Sequence, residues 1–351
     1  MQVIQKAFYL YCIKNCDKHN LKVYWITSRK DIYNLLKSRR LPVLYIYTMD
    51  AFKSILRAKY LVLTHGPTDV SYFYFLFGRF KMIQTWHGIA LKDVSREAER
   101  NARLYMRIIQ YLSRLTDKKY ELILTTSEET ARIFKLSFSN ENVKILGYPL
   151  NDVFYNPDLL FEDYKKKLKL DQFAKIILYC PTFRENSTRQ QFSQEFLNKL
   201  NTYLVRNNYV LLIKRHPYGN FLFNNLENYS NIIDISNEVT DIQDLLVHVD
   251  ILISDYSSVI FDFVLLNKPI IFYPYDIDIY IKRWRKLNYD YFKELPGPFA
   301  MFEDSLLNIL TSIESIFSDK KYKERYELFR QKFNYYNNNR ACEALLNYII
   351  K

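Results

Sequence analysis

Apolar and polar residues alternate in blocks over a stretch in the last third of the chain. Three apolar residues, Ile251–Ile253, predict a strand that is buried on both faces of a parallel sheet. The polar block Ser254–Ser258 follows, and the apolar run Val259–Leu266 then predicts a helix. Ile270–Tyr273 predicts a second buried strand. The stretch is therefore expected to form a strand, a polar loop, a helix and a strand.

Ser257 and Ser258 fall at or just before the start of that predicted helix. Free backbone N–H groups and the positive end of the helix dipole meet at such a place, and both favour a bound phosphate. A simpler interpretation is that Asp255 or Ser257 only caps the helix. Taken alone, the stretch favours the simple cap, and the residues at other strand ends decide between the two.

Blocks of the same kind fill most of the chain, and the pattern restarts once. Strands alternate with helices up to about residue 147 and again from about residue 175, which is typical of doubly wound parallel sheets. Prolines and asparagines between them indicate a linker. We predict an α/β fold with two Rossmann-like domains, residues 1–150 and 151–351. The longer predicted helices are Val3–Lys18, Arg96–Leu115, Ser127–Phe138, Gln191–Asn207 and Val259–Leu266.

The charge balance adds an anionic partner to this picture. The net charge is +12, which suits a phosphate-rich substrate, an anionic lipid surface or a nucleic acid. Residues 1–50 carry nine Lys or Arg against three Asp. A solvated basic face is the simpler explanation, and attraction to an anionic membrane surface is the sharper one. The arginines between Arg96 and Arg114 offer a second basic face, unless they pair with Glu97 and Glu99.

The apolar runs, the N-terminal charges and the cysteine spacing predict a cytoplasmic protein. No run approaches the ~18 uncharged apolar residues that span a bilayer, so we expect any membrane contact to be peripheral. Charged residues interrupt the N-terminal apolar positions, which argues against a signal peptide. The four cysteines have no spacing typical of a disulfide framework and indicate a reducing compartment.

Chemically versatile side chains collect where predicted strands end. His65-Gly66 and His87-Gly88 each follow a strand of the first half, and neither histidine has an evident carboxylate nearby in sequence. Open α/β sheets bind ligands at the carboxyl ends of their strands. The second half places six donors and cations at such ends, a set that suits a pyrophosphate. They are Arg184, Lys214, Arg215, His216, Ser257 and Ser258.

Several common nucleotide motifs are missing from the sequence. It has no GxxxxGK[ST] and no GxGxxG, which argues against a P-loop enzyme and against a dinucleotide oxidoreductase. It also has no DxD-type acidic pair at a strand end. We therefore expect positive charges, rather than an obligatory metal ion or another cofactor, to neutralise a leaving phosphate.

One segment resembles a known family. Trp86-His87-Gly88 with Leu91-Lys92 resembles the WHG-x-x-LK motif of the CDP-glycerol glycerophosphotransferases, which include teichoic acid primases and polymerases. Further segments resemble motifs of that family in the same order, over about residues 60–300. They are Gly147-Tyr148-Pro149 with Asn151-Asp152, Pro181-Thr182-Phe183-Arg184, Lys214-Arg215-His216-Pro217, Ser254–Asp262 and Glu294–Pro298. Leu150, Ile89 and Ala90 depart from the family pattern.

The resemblance implies a GT-B fold in which the second domain binds nucleotide and the first binds acceptor. It implies transfer of an alditol phosphate from CDP-glycerol or another CDP-alditol to a hydroxyl of a polyprenyl-linked cell-wall or capsule acceptor, with release of CMP. The enzyme would lie on the cytoplasmic face of the membrane. His87 is then the expected general base and His216 a second catalytic residue. Expected substrate-binding residues are His65, Gly88, Arg184, Lys214, Arg215, Asp255, Ser257, Ser258 and Asp262, the two aspartates mainly orienting the loop.

Two other functions use the same features. A sugar-nucleotide glycosyltransferase of GT-B fold would use a similar diphosphate site but would react at an anomeric carbon. A nonenzymatic protein that binds nucleic acid or membranes would use the charge alone, with salt-sensitive binding to polyanions. The motifs favour the transferase of alditol phosphate, and no nucleic acid partner is expected.

Overall fold

The computed structural model describes residues 3–71, 74, 78–89, 91, 117–182, 184, 192–215, 225–283, 287–335 and 340–351. These residues belong to two compact units, which are described separately. Unit 1 takes its residues from 1–87, 95–160 and 335–351, and unit 2 takes its residues from 88–94 and 161–334.

The described residues of unit 1 form two parallel sheets. Strands β1 and β2 pair with each other, and the remaining four form a sheet in the order β3-β4-β5-β6. The strands are β1 (Trp25–Thr27), β2 (Val43–Tyr45), β3 (Tyr60–Leu63), β4 (Lys81–Gln84), β5 (Tyr120–Thr125) and β6 (Val143–Ile145).

In the part of unit 2 that the structure describes, five strands form one parallel sheet in the order β11-β10-β7-β8-β9. Side chains of the central strands are buried on both faces, as their continuous apolar runs predict. The strands are β7 (Lys175–Cys180), β8 (Tyr209–Ile213), β9 (Ile232–Asp234), β10 (Ile251–Ser254) and β11 (Ile270–Phe272).

Helices accompany the sheets of both units. Over the described residues the α-helices are α1 (Val3–Asn15), α2 (Lys30–Ser38), α3 (Met49–Arg57), α4 (Glu128–Phe138), α5 (Tyr164–Lys167), α6 (Gln194–Asn207), α7 (Ile242–Leu246), α8 (Val259–Phe263), α9 (Ile277–Arg283), α10 (Tyr291–Glu294), α11 (Glu303–Ser318), α12 (Lys320–Asn334) and α13 (Ala341–Ile350).

Local capping explains where several helices begin. The Ser127 hydroxyl accepts a hydrogen bond from the Thr130 N–H at the start of α4, and the Thr130 side chain accepts one from the Ser127 N–H. Ser193 caps α6 in a similar way, so that helix begins at Gln194 instead of Gln191.

The helix predicted over Val259–Leu266 is α-helical only to Phe263. It continues as a 3₁₀ turn over Val264–Leu266 and is closed by Asn267 with φ +51°. A left-handed asparagine and the proline two residues later prevent another turn of helix. The predicted helix Arg96–Leu115 lies outside the described residues.

The last helix belongs to unit 1, whereas the sequence placed it in the second domain. The carboxylate of Asp152 explains the difference, because it accepts hydrogen bonds from the N–H groups of Ala341 (3.1 Å) and Cys342 (2.7 Å) at the start of α13. Helix α13 also packs against α1. Unit 2 begins at Phe161 instead of at residue 151 and ends at Asn334.

None of the helices that the described residues form combines the length and the apolar character needed to cross a bilayer.

Candidate active site

The two strand-end histidines of unit 1 lie side by side. Strands β3 and β4 are parallel neighbours with Leu63 opposite Gln84, so the segments that follow them leave the sheet together. The rings of His65 and His87 are stacked, with centroids 5.0 Å apart and planes 12° from parallel. The sequence predicted both residues at this edge, and the structure brings their imidazoles into contact.

A strained turn orients His87. Trp86 has φ +55°, a value that a non-glycine residue rarely adopts, and its N–H donates to the Gln84 side chain at 2.9 Å. The indole packs edge-on against Phe138, with ring centroids 5.2 Å apart. These contacts hold the turn and present His87 beyond the strand end. Backbone strain of this kind is concentrated at functional sites.

The expectation that the histidines lack a nearby carboxylate was wrong. Asp69 lies four residues after His65, and its carboxylate oxygen is 3.5 Å from His65 Nδ1. The same carboxylate accepts hydrogen bonds from the N–H groups of Thr64 (2.5 Å) and His65 (2.9 Å). Burial would raise the pKa of Asp69, but the hydrogen bonds outweigh burial and lower the pKa. Asp69 is therefore an anion that fixes the loop and the ring of His65.

His87 is a neutral imidazole over most of the pH range. The pKa of His87 is lowered from 6.5 to about 4; desolvation by the surrounding protein is the largest cause and the neighbouring His65 the second, although the residue keeps solvent-exposed surface. A hydrogen bond with the backbone of Thr64 and the charge of Asp69 act in the opposite direction but are weaker. An unprotonated imidazole has a free lone pair, so His87 is available as a proton acceptor at neutral pH.

We expect NMR titration to show His87 protonating near pH 4. Because this pKa lies below the ordinary 6.5, the unfolded chain takes up the proton first as the pH falls. The contribution of His87 to the free energy of unfolding is therefore complete above about pH 6.5 and is lost as the pH falls towards 4. His65→Ala removes the neighbouring imidazole and should move the pKa of His87 up towards 6.5. A wild-type His87 that titrates at 6.5 would contradict this description.

In unit 2 a buried group of three charges lies at the ends of β7 and β10. Arg184 is only 2% exposed. Its guanidinium contacts Asp255 Oδ2 at 2.8 Å and the two carboxylate oxygens of Asp276 at 2.8 and 2.9 Å. Asp255 also accepts hydrogen bonds from the N–H groups of Thr182 (2.9 Å) and Tyr256 (2.6 Å). The three charges connect the segments that follow β7, β10 and β11.

Arg184 therefore differs from the open phosphate donor that the sequence predicted. Two carboxylates occupy the sides of its guanidinium, and the rings of Tyr256 and Tyr280 lie 5.0 Å from its central carbon. The Tyr256 hydroxyl donates to Asp276 at 3.0 Å, which completes the enclosure. Asp276 was not among the site residues that the sequence predicted. Asp255 has the loop-orienting contacts that were expected of it.

Lys214 and Arg215 lie at the end of β8, where they contact the end of β9. The ammonium group of Lys214 donates to the Ser236 carbonyl at 3.1 Å, and the Arg215 guanidinium contacts Asp234 at 2.5 Å. The Ser236 hydroxyl accepts a hydrogen bond from the Arg215 N–H at 2.9 Å. Burial lowers the pKa of Lys214. Both residues remain candidates for substrate binding at this sheet edge, the same edge that carries Arg184.

Ser257 and Ser258 are half-buried between β10 and α8. Ser258 occupies the position before the helix without using its side chain to cap it, so its hydroxyl is not needed for the helix. Gly88 has φ +120°, and a Cβ there would lie 3.8 Å from the Ser258 hydroxyl. The backbone at residue 88 is thus held close to this serine in a conformation that favours glycine.

Asp262 and His216 are the two remaining residues that the sequence predicted for the site. Asp262 is buried, and its carboxylate accepts a hydrogen bond from the Gln243 side chain at 3.0 Å, as expected of a residue that orients the loop. His216 lies outside the described residues. Among the residues that are described, no group of three His, Cys, Asp or Glu is placed to hold a metal ion.

Comparison with known proteins gives the family. Residues 4–351 match the family described as CDP-glycerol:poly(glycerophosphate) glycerophosphotransferase. The chain is 32% identical to the teichoic acid glycerol-phosphate primase of Bacillus subtilis, over 94% of this chain and 80% of the relative. It is 27% identical to the teichoic acid glycerol-phosphate transferase of Staphylococcus aureus, over 99% of this chain and 89% of the relative.

Solved structures show the same fold. The wall teichoic acid polymerase TagF, whose structures include one soaked with CDPG, superposes with a TM-score of 0.78 over 97% of this chain and 83% of the other. The sequence identity in that comparison is 24%. The α/β, GT-B-like fold that the sequence predicted is confirmed, and the family match favours a transferase of glycerol phosphate over the glycosyltransferase and the nonenzymatic alternatives. The chain belongs to the CDP-glycerol:poly(glycerophosphate) glycerophosphotransferase family and is an enzyme of that kind.

Proposed function

We propose that this protein transfers glycerol phosphate from CDP-glycerol to a hydroxyl of a teichoic acid-type acceptor. The acceptor oxygen forms a bond to the phosphorus that carries glycerol, and the bond from that phosphorus to CMP breaks. The hydroxyl proton passes to His87, the general base, and CMP leaves with the electron pair of the broken bond. The acceptor is a polyprenyl-linked glycan, and the enzyme works as a peripheral protein on the cytoplasmic face of the membrane.

The observation that carries this proposal is the neutral, loop-held imidazole of His87. Its low pKa leaves the ring unprotonated at neutral pH, and Trp86, His65 and Asp69 fix its position. A positioned base of this type typically contributes about 10²–10⁴-fold to the rate. Unit 1 therefore activates the acceptor.

Unit 2 binds the CDP-glycerol donor at the carboxyl edge of its sheet. Ser257, Ser258, Lys214 and Arg215 supply hydroxyl and cationic donors there, and His216 is a further catalytic residue. The buried charges of Arg184, Asp255 and Asp276 keep the loops of this edge in place. Stabilisation of the leaving CMP is then electrostatic, from fixed donors at the site where negative charge develops.

Calorimetric titration tests the donor assignment. We expect CDP-glycerol to bind more tightly than CMP, CDP-ribitol, CMP-sialic acid or UDP-sugars. Ser258→Ala should weaken CDP-glycerol binding about ten-fold, because it removes a hydrogen bond to a charged oxygen worth about 1.4 kcal/mol. Ser230→Ala is the matched control, since Ser230 is an exposed serine of the same unit. Tighter binding of a UDP-sugar, with glycoside as product, would instead support a glycosyltransferase.

A further inference from the structure

Unit 1 contains a cavity of about 680 Å³ between its two sheets. Strands β1 and β3 both line it, and within the described residues neither strand pairs with another on the side that faces the cavity. Helices α1 and α13 form further walls. The Gln5 side chain donates to the Val62 carbonyl at 2.6 Å and so satisfies one acceptor of the open edge. The volume lies within the ~300–1,000 Å³ typical of small-molecule sites.

The walls of the cavity are mainly apolar. Phe8, Trp25, Leu61, Leu63 and Leu346 line it and are at most 7% exposed. These residues come from α1, β1, β3 and α13, so the apolar surface surrounds the space instead of forming one flat face. Cavities lined in this way exclude water and accept apolar ligands.

The rim of the cavity is basic. Lys22, Arg29 and Lys59 line it and are exposed, and Arg29 is already paired with Asp31 at 2.5 Å. Among the described residues of the lining, Asp69 is the one acidic residue, and its charge is engaged by His65 and by two backbone N–H groups. A ligand with an apolar body and an anionic head complements both the walls and the rim.

The cavity also reaches the candidate active site of the same unit. Thr68 and Asp69 belong to its lining, and Asp69 contacts His65, whose ring stacks on that of His87. An occupant would therefore lie against the loop that positions the proposed general base. A hydroxyl acceptor that carries an aliphatic chain would be held on the side of unit 1 where the base lies.

We propose that this cavity binds one aliphatic chain of an amphiphile with an anionic head group, with the chain between β1 and β3 and the head group at Lys22 and Lys59. This inference deepens the proposed function. It rests on that function in one respect, which is that the acceptor is taken to be such an amphiphile. An anionic membrane lipid and a prenyl phosphate share this chemistry, and the experiment below separates them.

Fluorescence quenching by alkyl phosphates with a brominated chain tests the site. Trp25 lies in the cavity wall, so we expect brominated dodecyl phosphate to quench its emission and Trp25→Phe to remove that quenching. Affinity should rise by about four-fold per methylene from eight to twelve carbons, below the micelle concentration. Dodecyl maltoside, with the same chain and a neutral head, should bind at least ten-fold more weakly.

Two sets of variants separate the chain from the head group. Ala58→Phe fills part of the cavity and should weaken dodecyl phosphate at least ten-fold, whereas Ala174→Phe, at an exposed alanine outside the lining, should not. The double variant Lys22→Glu with Lys59→Glu should weaken the phosphate but not the maltoside. Lys18→Glu with Lys53→Glu makes the same charge change at two exposed lysines outside the described lining.

Competition identifies the source of the chain. Displacement by farnesyl phosphate at lower concentration than lysophosphatidylglycerol assigns the cavity to a prenyl-linked acceptor, and the reverse order assigns it to a membrane lipid. Quenching that persists in Trp25→Phe, or equal affinity of all variants, would overturn the proposal. Calorimetric binding of CDP-glycerol to the same variants is the separate test of the proposed function, so either idea can fail while the other stands.

Discussion

His87→Ala should lower the rate of glycerol phosphate transfer by about 10²–10⁴-fold and leave the affinity for CDP-glycerol within a factor of two or three. The variant removes the neutral imidazole that we propose as the acceptor of the hydroxyl proton, but it changes none of the residues of unit 2 that we propose as donors to the nucleotide. CMP release in the presence of acceptor measures the rate, and calorimetry measures donor affinity. A loss that appears in the rate alone is the signature of a group that acts in the transition state.

Two controls keep this result interpretable. His248→Gln removes a histidine of unit 2 that contacts Asp163 at 3.7 Å, and it should leave the transfer rate unchanged. Thermal unfolding of His87→Ala should match the wild type closely, since the stack with His65 is partly exposed. Near-normal transfer by a well-folded His87→Ala protein would rule out His87 as the base.

Arg184→Ala should reduce the free energy of unfolding by about 3–5 kcal/mol, because it leaves Asp255 and Asp276 buried without their countercharge. Asp255 is fully buried, so water cannot replace the guanidinium without opening the loops. Urea unfolding of the wild type and the variant gives the difference directly. Loss of the triad should also weaken donor binding, as a consequence of displaced loops.

Arg215→Ala is the matched control for this variant. It removes an arginine–aspartate pair from the same edge of the same sheet, but that pair is partly exposed and should cost less than about 1 kcal/mol. The contrast separates a buried triad from a surface ion pair. An Arg184→Ala protein that unfolds like the wild type and yet fails to bind CDP-glycerol would return Arg184 to the role that the sequence first suggested, direct contact with phosphate.

The strand-end residues could be predicted because strand order and polarity are local properties. Continuous apolar runs such as Ile251–Ile253 locate buried parallel strands, and parallel strands bring their carboxyl ends to one edge. This reasoning placed His65 and His87 at one edge of a sheet without any tertiary contact. It also gave the α/β class, whereas the family was indicated by the resemblance of the ordered motifs to known ones.

The pairing of side chains that lie far apart in the sequence could not be predicted in the same way. Nothing local in the sequence states that Arg184 meets Asp276, 92 residues away, and so becomes an internal ion pair instead of an open donor. The assignment of α13 to unit 1 depends likewise on a bond between residues 189 positions apart. Asp69 is a different case, since it lies only four residues after His65 in the sequence and was overlooked.

The capping of α13 by Asp152 also bears on how the chain is made. Ribosomes add about 5–20 residues per second from the N-terminus, and domains generally fold as units while synthesis continues. In the sequence, unit 2 ends at Asn334 and the last segment of unit 1 follows it. All residues of unit 2 have therefore been synthesised before α13 leaves the ribosome. During that interval the carboxylate of Asp152 lacks the N–H groups of α13 that donate hydrogen bonds to it in the folded protein. The first unit to be started is consequently the last to be completed, and its nascent form depends on a closing segment that arrives nearly two hundred residues later.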